Sequence, residues 1–192
     1  GLGDVYKRQS REYVSALEHQ AEKLRFLIDA LVKTSRLESG VLAMTPKRHG
    51  IQQLLDTASA QAAPGAEAKA ITLTVEPTDL TARFDPKWTA EALYNLVDNA
   101  VKYTPAGGAV TLRAVGYELF CRVDVTDTGP GIPEAELPFI KQKFYKGSSK
   151  ARGSGIGLAV CDEIVTRHEG TLDIGNAEGG GCVVTIRLPI RT

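Results

Sequence analysis

One polar stripe in the sequence could hold a metal ion and a polyphosphate. Asn95, Asn99 and Lys102 are separated by four and three residues, so they share one face of a helix that contains them. The amide oxygen of asparagine is a hard, uncharged ligand that suits Mg²⁺, and the ammonium group of lysine attracts phosphate as a point charge. Simple solvent exposure of a polar helix face gives the same pattern, so this triplet alone leaves both interpretations open.

A second run of residues could recognise a purine base. Asp127 follows an alternating apolar stretch and opens the run 127–132, in which Gly129 and Gly131 flank Pro130. Glycine lets a flat base approach the backbone, and a carboxylate accepts a hydrogen bond from the exocyclic amine of adenine. Guanine has a carbonyl at that edge, which a carboxylate would repel. A surface turn is the alternative interpretation, because Gly and Pro are common in loops.

A third run, Gly153 to Leu158, opens a helix and could bind an anion. Backbone amides at the positive end of a helix dipole attract phosphate. The run is not a Rossmann fingerprint, because no strand leads directly into it, and it is not a P-loop. Between the second and third runs lies a basic segment, which is either a solvated loop or a lid over a polyphosphate; its cations are Lys141, Lys143, Lys146, Lys150 and Arg152.

The elements that must position these groups are helices alternating with short strands. Asp85 followed by Pro86 starts a helix, because the carboxylate caps the first amides and the proline ring presets helical φ. Ser39-Gly40 and Pro64-Gly65 are helix stops. Hydrophobic periodicity predicts helices over residues 10–38, 51–63, 86–103 and 156–167, and strands over 71–76, 83–85, 110–115, 120–126, 171–174 and 182–188.

This order of elements predicts an α+β fold. We expect a two-layer α/β sandwich with a mixed, mostly antiparallel sheet and helices on one face, preceded by one long N-terminal helix. The chain of 192 residues, 43% hydrophobic, can bury such a core.

The formal net charge of the chain is zero, which disfavours nucleic acid as a partner. Three widely spaced cysteines and the lack of a long apolar run indicate reduced thiols and a cytoplasmic chain.

In this order the three runs resemble the motifs of the GHKL ATPases, which share the Bergerat nucleotide fold, and among them those of the sensor histidine kinases. The segment from Asn95 to Pro105 is similar to their asparagine box, and the second and third runs are similar to their first two glycine boxes. Phe139 and the segment Phe144 to Lys146 lie where the phenylalanine box belongs. Residues 179–185 resemble the last glycine box, with Cys182 where Ser or Thr is common.

The resemblance implies that ATP and Mg²⁺ bind, with the metal on Asn99. It also implies that adenine lies against Asp127 and near Tyr103, and that residues 132–152 form a mobile lid. The implied ATP-binding residues are Asn95, Asn99, Lys102, Tyr103, Asp127, Gly129, Gly131, Ile132, Lys146, Gly153, Gly155, Ile156, Gly157, Leu158 and Thr185.

Asn95 separates phosphotransfer from hydrolysis within this superfamily. Gyrase-like, mismatch-repair and heat-shock-chaperone ATPases carry a glutamate one helical turn before the metal-binding asparagine, where it activates water. With Asn95 in that position the chain lacks this base, which favours transfer of the γ-phosphoryl group to an acceptor. The resemblance implies an acceptor histidine followed by an acidic residue and then by a basic residue ahead of Pro, and His19, His49 and His168 do not fit that pattern.

The sequence therefore predicts the catalytic domain of a protein histidine kinase. Residues 41–192 would form the ATP-binding domain, 10–40 the second helix of a dimerisation and phosphoacceptor hairpin, and 1–9 a non-native or disordered leader. The implied partners are a phosphoacceptor hairpin, its own or a partner's, and a response regulator; the parent protein would be a membrane-bound homodimer. An anti-sigma-type serine kinase and a non-catalytic ATP-binding regulatory module are the alternatives, disfavoured by the long N-terminal helix and the intact motifs respectively.

Overall fold

The protein divides into two compact units, Gly1–Val41 and Leu42–Thr192. A computed structural model describes residues 44–143, 145, 147 and 155–191, and, in the first unit, residues 11, 13–18, 20–21, 24–25, 28, 31–32 and 35. The described residues of the first unit are all helical and exposed, and the apolar ones include Leu17 and Leu24. Only these positions of the predicted helix over 10–38 are described, so its bounds stay a prediction, and the predicted leader over 1–9 lies outside the described residues.

The second unit contains a five-stranded sheet, a two-stranded sheet and three helices within its described residues. The large sheet has the strand order β2-β4-β5-β7-β6; β2 pairs with β4 in parallel and the other neighbours are antiparallel. β1 and β3 form the small antiparallel sheet. The elements are β1 Lys47–Gly50, α1 Ile51–Ala68, β2 Thr72–Val75, β3 Thr81–Phe84, α2 Pro86–Tyr103, β4 Ala109–Gly116, β5 Phe120–Asp127, α3 Gly157–Arg167, β6 Thr171–Asn176 and β7 Cys182–Pro189.

The core lies between the helices and one face of the large sheet. Along β5, Val123 and Val125 are buried against the helices, whereas the side chains of Arg122 and Asp124 point to the opposite face, which carries polar groups. α1, α2 and α3 each bury an apolar stripe in the same layer, and α1 packs closely along α2. The predicted α+β sandwich, with helices on one face of a mixed, mostly antiparallel sheet, is therefore confirmed.

The helix that carries the asparagines is fixed at both of its ends. At its start, Asp85 Oδ1 accepts hydrogen bonds from the amides of Lys87 (3.0 Å) and Trp88 (3.3 Å), as the sequence predicts. At its end, the Lys69 ammonium donates to the carbonyl oxygens of Val101 (2.7 Å), Lys102 (3.0 Å) and Thr104 (2.5 Å). These are the last carbonyls of α2, which have no partner within the helix, and a cation also suits the negative end of the dipole.

The predicted end of α1 at residue 63 is wrong, because the helix continues through Pro64 to Ala68. Ala62 and Ala66, on either side of the proline, are buried, and a Cβ at Gly65 would lie 3.7 Å from Val101 Cγ1 of the adjacent α2. Packing against α2 thus continues past Pro64 and outweighs the local tendency to stop. β1 was not predicted at all. Its partner, β3, lies more than thirty residues further along the chain.

Among the described residues, no helix is long and apolar enough to cross a membrane. Cys121 and Cys161 are buried, Cys182 is partly exposed, and all three are free thiols. Burial raises the pKa of Cys161 to about 12, and that of Cys121 to about 11, which keeps both thiols protonated at neutral pH. The prediction of reduced thiols agrees with these positions.

Candidate functional site

The two asparagines lie together on the half-buried side of α2 that faces α3. Cys161 of α3 packs on this side of α2, where its Sγ donates to the Ala92 carbonyl oxygen (3.3 Å). Burial raises the pKa of this thiol, and the neighbouring Asn95 side chain opposes that rise. Gly157, the first residue of α3, is close to the second asparagine, since a Cβ there would lie 4.0 Å from Asn99 Nδ2. The asparagine face and the N-terminus of α3 are therefore adjacent.

Lys102 lies one turn beyond Asn99, and its ammonium pairs with a carboxylate of the same helix. Lys102 Nζ lies 2.5 Å from Asp98 Oδ2, and both side chains are partly exposed to solvent. An exposed pair four residues apart in a helix contributes only about 0.3–0.5 kcal/mol, so it is easily exchanged for a stronger anion. The sequence did not predict this partner, although the spacing from Asp98 to Lys102 is itself the signal for it.

Asp127 is a nearly fully buried carboxylate at the end of β5, on the helix side of the sheet. Its Oδ1 accepts hydrogen bonds from the amides of Gly129 (2.8 Å) and Cys182 (3.1 Å), and the carboxylate retains 5% of its exposure. Burial raises the pKa of Asp127, and the two amide hydrogen bonds oppose that rise. Within the described residues, Oδ1 accepts both hydrogen bonds made to this carboxylate. Oδ2 is therefore the oxygen available to a ligand.

The two glycines of the run 127–132 stand where a side chain would not fit. A Cβ at Gly129 would lie 2.9 Å from Asp127 Oδ1 and 3.1 Å from the Tyr103 carbonyl oxygen. Gly131 has a φ of +74°, a left-handed conformation that favours glycine. The close approach of the loop to Tyr103, whose side chain is 42% exposed, brings the end of α2 beside the buried carboxylate. The loop also rests on β4, because Thr128 Oγ1 accepts a hydrogen bond from the Ala109 amide (2.9 Å).

Of the third run, the structure describes residues 155–158. Gly155 has a φ of +73°, and Ile156, the residue that precedes α3, buries its side chain in the core with 1% exposed. Ile156 can therefore offer a ligand only its backbone, whereas Gly157 and Leu158 form the first turn of α3, whose amides lack carbonyl partners within the helix. Gly153 lies outside the described residues, so its predicted role stays a prediction.

The basic segment between the two glycine runs is described only in part. Lys141 Nζ donates to Asp162 Oδ1 of α3 (3.1 Å) and to the Leu172 carbonyl of β6 (2.9 Å), which ties that lysine to the body of the domain. Phe139 is 46% exposed, and its ring centroid lies 6.1 Å from that of Tyr145. Lys146 and Phe144 lie outside the described residues, so the proposed phosphate contact of Lys146 also stays a prediction.

Thr185 lies on the face of the sheet opposite to Asp127. The register pairs it with Asp124 of β5, and its hydroxyl donates to Asp124 Oδ1 (2.8 Å). Because side chains alternate along a strand, Asp124 and Asp127, three residues apart, point to opposite faces. This position argues against a direct contact between Thr185 and a nucleotide at Asp127, so Thr185 is not part of the candidate site. The β7 group that does reach Asp127 is the Cys182 amide.

The histidines that are described have structural surroundings. His168 is 2% exposed; its Nε2 accepts from the Asp85 amide (2.9 Å), and its Nδ1 donates to the Ile164 carbonyl (2.7 Å). The ring is thus the neutral Nδ1 tautomer, with both nitrogens engaged. His49 packs against the Phe84 ring at 5.4 Å between centroids. His19 lies outside the described residues.

The donor set suits a magnesium ion carried by phosphate better than a metal bound by protein alone. The described residues contain no group of three or more His, Cys, Asp or Glu side chains placed to hold a metal ion. Asn99 offers one uncharged oxygen beside the N-terminus of α3, where an anion would lie. Mg²⁺ retains several waters and takes substrate phosphates as ligands, so one amide oxygen together with a polyphosphate is a chemically suitable set.

Asn176 is a site residue that the sequence did not predict. Its side-chain amide accepts a hydrogen bond from the Ile132 amide (2.7 Å) and donates one to the Ile132 carbonyl (2.8 Å). The two residues are 44 positions apart, and only the fold brings them together. The one signal available in the sequence was an asparagine between a strand and the Gly-rich turn 179–181.

Comparison with known proteins agrees with this arrangement. Residues 84–192, more than half of the chain, match the family described as histidine kinase-, DNA gyrase B-, and HSP90-like ATPase. The chain is 32% identical over 199 residues to the circadian input-output histidine kinase CikA of Synechococcus elongatus, a match that covers 100% of this chain and 26% of CikA. It spans about a quarter or less of the length of the first curated relatives that it matches.

Two solved structures have the same fold. A mycobacterial sensor histidine kinase, MprB, is 27% identical with a TM-score of 0.67, over 77% of this chain and 99% of that one. Full-length ShkA in complex with AMPPNP is 27% identical with a TM-score of 0.80, over 95% of this chain and 39% of that one. The family match includes α2, Asp127 and the start of α3, and the expected resemblance is confirmed. The chain belongs to the histidine kinase-, DNA gyrase B- and HSP90-like ATPase family and contains the ATP-binding domain of a sensor histidine kinase.

Proposed function

We propose that this chain binds Mg²⁺-ATP and donates the γ-phosphoryl group to a histidine on a phosphoacceptor hairpin that is not among its described residues. The observation that carries the proposal is that α2 links two groups: its asparagine face lies beside the N-terminus of α3, and its end at Tyr103 lies beside the loop of the buried Asp127. The first group suits a polyphosphate with its metal, and the buried carboxylate suits the amine edge of adenine. The names of its histidine kinase relatives, CikA among them, support the same function.

The base-binding end depends on Asp127. Because Oδ1 is occupied by two backbone amides, the carboxylate is held in one orientation, and Oδ2 can accept from the exocyclic amine of adenine. Gly129 leaves the space beside the carboxylate open, since a side chain there would collide with the carboxylate. Guanine would place a carbonyl oxygen against the same carboxylate, so we expect ATP to bind in strong preference to GTP.

The phosphate-binding end would use Asn99, Lys102 and the first turn of α3. Asn99 would hold Mg²⁺, which when bound neutralises negative charge on the phosphoryl group that is transferred. Lys102 would exchange its contact with Asp98 for a phosphate oxygen, and the amides of Gly157 and Leu158 would donate to another. Lys146 and Gly153 are proposed on the resemblance alone. The position of Gly157 beside Asn99, where a Cβ would lie 4.0 Å from Asn99 Nδ2, supports placing the metal close to these amides.

Asn95 supports phosphotransfer over hydrolysis. The hydrolysing relatives carry a glutamate at this position to activate water, whereas the side chain of Asn95 is a neutral amide. A neutral amide cannot take a proton from water at neutral pH. The γ-phosphoryl group would therefore persist until an acceptor histidine is presented. A response regulator would then receive the phosphoryl group from that histidine, and the parent would be a membrane-bound homodimer.

The base assignment is tested with Asp127→Asn and a matched control, Asp124→Asn. Both carboxylates are buried on β5, but Asp124 faces the other side of the sheet, where it contacts Thr185 and Arg122. A fluorescent ATP analogue with Mg²⁺ should bind Asp127→Asn about 10- to 100-fold more weakly, the equivalent of one lost charge-assisted hydrogen bond. Asp124→Asn should bind it like the wild-type chain. Equal affinity for wild type and Asp127→Asn would refute the adenine assignment.

Transfer is tested by adding the phosphoacceptor hairpin of the parent protein in trans with γ-labelled ATP. We expect label on the hairpin that is labile to acid and stable to base, as a phosphohistidine is, and no label on this chain alone. Label that survives acid would indicate a serine kinase instead. Binding without any transfer would favour the regulatory module.

A further inference from the structure

The hairpin end formed by β6 and β7 holds the base-binding loop at both of its ends. Asn176 and Cys182 face each other in register as the last pair of that hairpin. The Cys182 amide binds Asp127 Oδ1 at the start of the loop, and the Asn176 side chain binds both backbone groups of Ile132 at its end. The six-residue loop is thus fastened at its first and last residues to one rigid pair.

Contacts along the middle of the loop are equally close. A Cβ at Gly131 would lie 2.8 Å from Asn176 Oδ1 and 3.2 Å from the Gly181 carbonyl oxygen. Gly181 has a φ of +91°, and a Cβ there would overlap the Asp127 carbonyl. The loop therefore lies directly against the backbone of Gly181 and the side chain of Asn176, with no space for a side chain between them.

The chemistry of the contact requires one group that is both donor and acceptor. The planar amide of asparagine supplies both on one side chain, and it pairs with Ile132 as a neighbouring strand would. An aspartate of the same shape keeps the acceptor but loses the donor, and its charged oxygen would then face the Ile132 carbonyl. A protonated aspartate regains a donor.

We propose that Asn176 is a positioning residue for purine binding. It holds Ile132, and through it the loop, in the shape in which Asp127 Oδ2 meets the amine edge of the base. The inference rests on the proposed function of Asp127 and assigns Asn176 no contact with the nucleotide.

The test is Asn176→Asp in the full chain, with a fluorescent ATP analogue and Mg²⁺ titrated at pH 8 and at pH 4. At pH 8 we expect an affinity about ten-fold below wild type. At pH 4, close to the ordinary pKa of about 3.9 of an exposed aspartate, nearly half of the introduced carboxyl is protonated, and the variant's affinity should recover to within about three-fold of wild type. Asp127 also titrates at low pH in both proteins. Comparing the variant with wild type at the same pH therefore removes the effect of Asp127 on the affinity.

The matched control is Gln52→Glu, the same change of amide to carboxylate at a loop contact that involves no proposed nucleotide ligand. Gln52 Oε1 accepts from the Thr78 amide (2.8 Å), and its Nε2 donates to Asp56. This variant should lose stability but keep wild-type affinity at both pH values. Unfolding midpoints measured alongside ensure that binding is compared between folded proteins.

The outcomes separate the two proposals. A wild-type chain that binds no analogue overturns both. Wild-type binding that Asn176→Asp retains at pH 8 overturns the role of Asn176 alone. A loss of affinity without recovery at pH 4 also overturns it, because the loss would then come from general disturbance of the fold rather than from the missing donor.

Discussion

Replacing Lys69 by methionine tests whether the C-terminal end of α2 depends on one ammonium group. Lys69 lies just beyond α1, and its three N–H groups reach three carbonyl oxygens at the end of α2. Methionine keeps most of the length and the apolar stem but removes every donor. The carbonyl oxygens of Val101, Lys102 and Thr104 would then accept hydrogen bonds from water wherever solvent reaches them.

The magnitude follows from burial. Hydrogen bonds to a charged donor contribute about 1.5–3 kcal/mol each at most. Two of the three bonds are partly buried and one is exposed, and fixing a lysine side chain costs about 2 kcal/mol of rotamer entropy. We therefore expect a net loss of about 2–3 kcal/mol in the free energy of unfolding. For a unit of this size that corresponds to a fall of about 4–12 °C in Tm.

Urea unfolding followed by far-ultraviolet circular dichroism measures this loss, with Lys47→Met as the matched control. Lys47 is exposed on β1 and should tolerate the change within about 0.5 kcal/mol. If Lys69→Met is as stable as Lys47→Met, the three hydrogen bonds contribute nothing net, and the argument that this ammonium stabilises the asparagine helix is refuted.

Three further predictions concern the same region. His168→Ala should destabilise the fold by about 3 kcal/mol in urea unfolding, because it leaves a cavity and unpaired buried groups at Asp85 and Ile164; an effect below about 1 kcal/mol would contradict the structural role of the ring. Gly181→Ala should abolish analogue binding, since the methyl group would overlap the backbone at Asp127, and wild-type affinity in that variant would show that the loop is free to move. Burial raises the pKa of Asp127, so its carboxylate is protonated at a higher pH than an exposed aspartate. Analogue affinity should therefore fall as the pH falls through that raised pKa. The nucleotide-free fold should gain stability over the same range, because the folded state binds this proton more tightly than the unfolded state. A pH profile that is the same in Asp127→Asn would rule out this carboxylate as its source.

Local signals in the sequence predicted the elements that carry the site. The pair Asp85-Pro86 contains both the cap and the first helical residue of α2, so its start follows from neighbouring residues alone. The alternation of apolar residues predicted β5 and β7 to within one residue, and with them the position of Asp127 at a strand end. Such features depend on residues close together in the chain, which is why they can be predicted.

Features that depend on distant partners were missed. Pro64 does not end α1, because packing against α2 more than thirty residues away continues beyond it. The pairing of Asn176 with Ile132 spans 44 residues, and no local pattern indicates it. Lys69 resembles any exposed lysine in sequence, yet it caps a helix from another part of the chain. In each case the decisive contact is tertiary, and local propensity carries no information about it.

Strand register decides which part of β7 belongs to the site. Thr185 is paired with Asp124 and therefore shares the polar face of the sheet, whereas Cys182, three residues earlier, meets Asp127 on the helix side. The contact at Cys182 comes from the backbone amide, so it does not depend on the side chain. The thiol in place of the usual hydroxyl therefore leaves the orientation of the Asp127 carboxylate unchanged. Burial first, and then the charge of Asp127, raise the pKa of this thiol to about 12, which keeps it neutral beside the carboxylate that we propose to bind adenine.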